Sequence, residues 1–161
     1  MPQLSVDWPQ VWSAVEKILI SYLLAMPTGF IRERQEHGIG IRTFPIVAMA
    51  SCGYLLIFTS GASNDLLAAQ SRVLQGMIAG IGFVGGGAIL KEGMSVHGTA
   101  TAASIWNTAA IGASVAAGRY EIGVMLAILN VFTMRALVPV KKRLDRAGGE
   151  GADSEKPRPV P

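Results

Sequence analysis

The side chains able to do chemistry in this chain are few and scattered. Cys52 is the single cysteine, which excludes an intrachain disulfide framework and a cysteine-rich metal site. His37 and His97 have no metal-ligand partner at useful spacing. Glu16 is the one carboxylate inside a long apolar stretch. A Mg²⁺ site takes one or two carboxylates plus waters, but the charge of neighbouring Lys17 opposes a cation there. Glu16 therefore reads as an interfacial glutamate near a helix end. Thr99, Thr101, Ser104 and Thr108 have no histidine within helical reach, so no nucleophile–base pair forms. In apolar surroundings such hydroxyls bond backbone or a neighbouring helix, and the amides of Asn107 and Asn130 do the same. Gly80-Ile-Gly-Phe-Val-Gly85 matches G-x-G-x-x-G. It lacks the preceding strand and the acid about 20 positions on that a dinucleotide site needs. The expectation is a non-enzyme with no catalytic residue, cofactor or bound metal.

The elements that hold these residues are written in the composition. The chain has 161 residues, 50% of them apolar and only 16% charged. Soluble domains carry roughly 25% charge. The net charge of +3 is too small to argue for nucleic acid. Charge-free runs extend over Thr43 to Asn64, Val73 to Leu90 and Gly98 to Gly118, which are 22, 18 and 21 residues. Eighteen helical residues span about 27 Å, close to the ~30 Å hydrocarbon core. Two further spans are interrupted. Ile18 to Ile31 needs Val11 to Val15 to cross, with Trp8 and Trp12 as an interfacial belt. Ile122 to Met134 extends to Val140 if Arg135 snorkels to the headgroups. The expected fold class is an all-α integral membrane protein, a compact bundle of about five transmembrane helices. The N-terminus lacks the basic region and cleavage pattern of a signal peptide.

Basic residues set the expected orientation. Ten of them (Arg32, Arg34, Arg42, Lys91, Lys141, Lys142, Arg143, Arg146, Lys156 and Arg158) fall on one side, against two, Arg72 and Arg119, on the other. The positive-inside rule then places the N-terminus outside and the C-terminus in the cytoplasm. Residues 1–143 read as the membrane domain. Residues 144–161, rich in Gly, Pro and charge, read as a disordered cytoplasmic tail.

Within the bundle, Gly76/Gly80 and Gly82/Gly86 have the GxxxG spacing that lets backbones approach, and Gly85 lies beside them. With small residues also dominating the fourth helix, the third and fourth helices are expected to pack together in the middle. Asn107 is expected to help that packing. At the cytoplasmic face four helix ends meet. They bring together Arg32, Glu33, Arg34, Arg42, Thr43, Lys91, Glu92 and Thr101, the candidate functional cluster, with Glu36 nearby. Its opposite charges are expected to form an ion-pair network. The face is either a solvated topogenic surface or a docking surface for another membrane protein or anionic lipid.

Four segments carry a family resemblance: GFIRER (29–34), GIRT (40–43), GIGFVGGGAILKEG (80–93) and GTATAASIWNTAAIG (98–112). In order and spacing they resemble the MgtC/SapB family of bacterial inner-membrane proteins, over about residues 15–138. The chain departs at Gln35, where the family commonly has an acid, at Gly98-Thr-Ala-Thr-Ala-Ala103, and before Arg72, where an acid is missing. Longer members carry a cytoplasmic domain after the fifth helix, so this chain reads as a short member. The resemblance implies adaptation to low magnesium and, in pathogens, survival inside host cells. It implies regulation of another membrane complex such as the ATP synthase rather than Mg²⁺ transport. The acid-poor spans agree that the chain is no autonomous cation pump. The expected partners are the lipid bilayer and another membrane protein or a second copy, with no nucleic acid. Charge reversal at Arg32 or Glu33 is expected to abolish function without loss of folding. The competing expectation is an oligomeric transporter or channel for Mg²⁺ or another ion.

Overall fold

Residues Trp8–Gln35 form one long helix, α1, which continues past Pro27. The proline has no N–H for the Leu23 carbonyl. Arg32 and Arg34 in the last turn complement the helix dipole. A computed structural model of the chain describes residues 7–35, 40–57, 64–92 and 95–153, with side chains described there except at Gln35, 64–67, Glu92, Ser95 and 137–153. Four more helices follow: α2 (Thr43–Leu56), α3 (Asn64–Gly87), α4 (Thr99–Ala116) and α5 (Tyr120–Asp153). The chain is predominantly helical. A two-stranded antiparallel hairpin between α3 and α4 joins β1 (Leu90–Glu92) to β2 (Ser95–His97), pairing Leu90 with His97 and Lys91 with Val96.

Helix boundaries depart from the charge-free runs. Among the described residues, the helix long and apolar enough to cross a bilayer is Trp8–Arg34, one of the two interrupted stretches. The run from Thr43 to Asn64 yields a 14-residue helix, about 21 Å long. Its remainder holds the turn-formers Ser60, Gly61 and Ser63 and lies largely outside the described residues. Helix α3 begins nine residues before Val73 and takes Asp65 and Arg72 into the helix. Absence of charge marks what lipid tolerates, whereas turn-formers and caps set where a helix stops. Helix α5 continues to Asp153, ten residues beyond the expected boundary at Arg143. Leu144, Arg146 and Ala147 there are strong helix formers, and the helix continues through Gly148, Gly149 and Gly151 against their low propensity. Residues 154–161 of the expected tail lie outside the described residues.

Contacts fix the directions. Thr28 faces Asn130 and Arg32 faces Met134, so α1 and α5 run parallel. Lys17 reaches the carbonyl of Ala116, so α4 is antiparallel to α1. Helix α4 touches all four other helices and is the centre of the bundle. Helix α3 is not central: it packs on α4 and lightly on α2, with most of its side chains exposed. Two apolar clusters fill the interior. One holds Ala25, Phe44, Ala48, Ala88 and Ile105, and the other Cys52, Val115 and Ala116. At Gly112 α4 approaches α2 closely. A Cβ there would overlap the Ala48 carbonyl oxygen of α2.

Candidate functional site

A column of buried polar side chains stands where α1, α4 and α5 meet. Thr28 and Arg32 sit one turn apart on α1, as Asn130 and Met134 do on α5. Thr101, Ser104 and Thr108 share one face of α4, at spacings of three and four residues. Asn130 joins all three helices. Its Oδ1 accepts the Ser104 hydroxyl at 3.1 Å, and its Nδ2 donates to Thr28 Oγ1 at 3.4 Å. Thr108 returns its hydroxyl to the Ser104 carbonyl at 2.7 Å. One turn toward the end of α1, the Arg32 guanidinium donates to Met134 Sδ at 3.8 Å. Arg32 is only 4% exposed. Asn107 lies outside the column and donates to the Leu126 carbonyl of α5 at 3.4 Å.

Above the column lies a charged rim. Glu33 accepts the N–H of Ile41 at 3.1 Å, tying the end of α1 to the start of α2. Gly40 makes room for it, since a Cβ there would meet the Glu33 backbone at 2.7 Å. Arg34, Arg42 and Lys91 are exposed, and Thr43 is half-buried. Among the described residues none of these three basic groups lies within 4 Å of a carboxylate. Glu36 and His37 lie outside the described residues, as does the Glu92 side chain. The expected cluster therefore divides. Arg32 and Thr101 are interior, Glu33 is a backbone tie, and Arg34, Arg42 and Lys91 form the solvated rim. This corrects the expected use of Arg32 as a surface charge. Reversing it places a carboxylate at a buried position, a folding lesion rather than a change of surface.

The glycines of α3 divide as well. Gly85 packs on α4, 3.3 Å from the Ala102 carbonyl oxygen to a built Cβ. Gly76, Gly80, Gly82 and Gly86 face open space, so among the described residues their spacing closes no contact. Gly98 holds φ +82° between the hairpin and α4, with the Ala88 carbonyl where a Cβ would go. Sequence reasoning missed Thr28 and Met134. Their i, i+4 relation to Arg32 and Asn130 was the available signal. Sequence reasoning also contains no hairpin between the third and fourth helices, where β1 and β2 pair.

Chemically the column offers an amide, hydroxyls, a thioether and a guanidinium. Among the described residues no three His, Cys, Asp or Glu side chains gather to hold a metal. Opposite the column's rim, Lys17 donates to the Ala116 carbonyl at 3.2 Å, where the dipole at the end of α4 favours a cation. Arg119 there hydrogen-bonds Glu121, which holds that carboxyl below its usual range.

The sequence profile of the MgtC family matches residues 18–143. Protein SrpB of Synechococcus elongatus is 33% identical over 141 residues, 81% of this chain and 75% of that protein. YhiD of Escherichia coli, whose name proposes a magnesium transporter, is 28% identical over 133 residues, 80% of this chain and 62% of YhiD. Protein MgtC of Brucella abortus is 32% identical over 125 residues, 78% of this chain and 51% of that protein. The chain thus spans about half to three quarters of the length of these relatives. No solved structure matches it.

Proposed function

The chain belongs to the MgtC family, and from that premise we propose a non-enzymatic, multi-pass protein of a bacterial inner membrane that regulates another membrane complex. The N-terminus lies outside and the C-terminus in the cytoplasm, following the basic residues. The role is adaptation to low magnesium and, in a pathogen, survival inside host cells. The ATP synthase is the complex to test first. A membrane location is supported by the exterior, where Trp12, Ile57, Phe83 and Phe132 all point outward. An apolar surface of that extent is costly in water and suits lipid.

The observation that carries regulation over transport is the buried Arg32. A Mg²⁺ ion about 6 Å from a guanidinium meets roughly 5 kcal/mol of repulsion at an effective ε near 20. The second reading, transport through an oligomer, draws on the magnesium-transporter name of YhiD. Mg²⁺ flux into proteoliposomes holding the folded protein decides between them. Flux at the level of empty liposomes is expected, together with altered ATP synthesis when the protein is added to vesicles carrying the synthase. Robust flux overturns the regulatory reading.

A further inference from the structure

Helices α1 and α5 do not close along their outer faces. Between them runs an apolar groove of about 580 Å³, walled by Leu23, Pro27, Val124, Ile128, Phe132 and Arg135. Leu23, Ile128 and Phe132 are well exposed, whereas Ala127, a small residue, is buried at the floor. The α5 wall repeats at three- and four-residue spacing, so it is one continuous helix stripe. From Val124 to Arg135 it is about 16 Å long, close to half of the ~30 Å hydrocarbon core. The groove is asymmetric: its lining is apolar except at one end, where Arg135 stands. Beyond that end α5 continues into the basic sequence Lys141-Lys142-Arg143. Pro27 adds a second polar feature, since the Leu23 carbonyl lacks its usual intrahelical donor.

We propose that this groove holds one anionic phospholipid, its acyl chain against Leu23, Ile128 and Phe132 and its phosphate on Arg135. Charge complementarity selects the occupant. A second apolar helix would fill the wall but would bring Arg135 no anion. A phosphodiester at headgroup depth gives that guanidinium a bidentate anion. A basic group at this depth favours anionic over zwitterionic lipid by about fivefold. The proposal rests on the membrane reading above, so its test keeps the two apart.

Membranes containing the protein are first washed at alkaline pH. Release into the supernatant overturns the membrane reading and this proposal with it. Retained protein is purified in detergent and examined by native mass spectrometry with phosphatidylglycerol and phosphatidylcholine of matched chains. Binding of one phosphatidylglycerol, about fivefold preferred, is expected. Arg135→Gln removes the preference but keeps weak binding of both lipids. Ile128→Trp fills the exposed wall and reduces binding of both. Thermal unfolding of each variant near the wild-type midpoint shows that the fold is intact. Equal retention of the two lipids by the wild type overturns the proposal. So does a preference that survives Arg135→Gln, or a lipid-free dimer cross-linked through positions 128 and 132.

Discussion

The Glu33 carboxylate accepts the N–H of Ile41, so its oxygen matters to the fold and its charge is a separate property. Glutamine keeps an acceptor in the same place. Glu33→Gln is therefore expected to unfold within about 0.5 kcal/mol of wild type, and Glu33→Ala to lose about 1 kcal/mol, the worth of one such bond. Gly40→Ala is expected to be worse than either, because its Cβ meets the Glu33 backbone as well as the movable carboxylate end. Denaturation in detergent ranks the three. The ranking also separates fold from function. If the rim acts through charge, Glu33→Gln and Arg34→Gln lose the low-magnesium phenotype while keeping their stability. Arg32 cannot serve in that comparison, since it is buried against Met134. At the opposite end of the molecule, Glu121 is held below its usual range by the Arg119 hydrogen bond. A lowered carboxylate pKa stabilises above the unfolded value near 4.5, and the contribution is lost as pH falls through the folded value. Unfolding midpoints of wild type and Glu121→Gln should differ slightly at pH 6 and converge below pH 4, a small effect because the pair is fully exposed.

Among elements, α2 and α4 depend on close backbone approach. In lipid there is little hydrophobic drive between helices, so contact through small residues does the packing. Gly112 lies against Ala48 and Cys52, and an added methyl has only backbone to push against. Gly112→Ala is expected to cost about 1–3 kcal/mol as overpacking, read as a lowered midpoint. The same approach shows what could be read in advance. The five helices, the small-residue character of α4 and the interhelical amides Asn107 and Asn130 follow from residue type and spacing alone. The ends of α2 and α3 do not follow from counting charges, because Arg72 is compatible with a helix and the Ser-Gly cluster after Leu56 is uncharged. The interior place of Arg32 depends on Met134, 102 residues away, arriving beside it. No local pattern around residue 32 records that. The glycine spacings of α3 identify a surface able to pack closely, yet not what it packs on, and among the described residues Gly76, Gly80, Gly82 and Gly86 pack on nothing.

For the whole molecule, that uncovered α3 face is the place where the proposed regulation needs a partner. Phe83 is 85% exposed, and Gly76 and Gly80 border a groove shared with Val47, Ser51 and Tyr54 of α2. A glycine face gives lipid chains few contacts but lets another helix come near. Stability and function should therefore separate here, as they cannot at Gly112. Gly80→Ala adds a methyl to open space and removes the entropic penalty of glycine in a helix, so the fold is expected to gain up to about 1 kcal/mol. Gly76→Leu with Gly80→Leu should leave the monomer folded while blocking close approach of a neighbouring helix. In cells limited for magnesium, the double variant is expected to reach the membrane at wild-type level and fail to support growth. Growth at the wild-type rate with both leucines present would move the partner contact off α3 and onto the exposed basic rim of Arg34, Arg42 and Lys91.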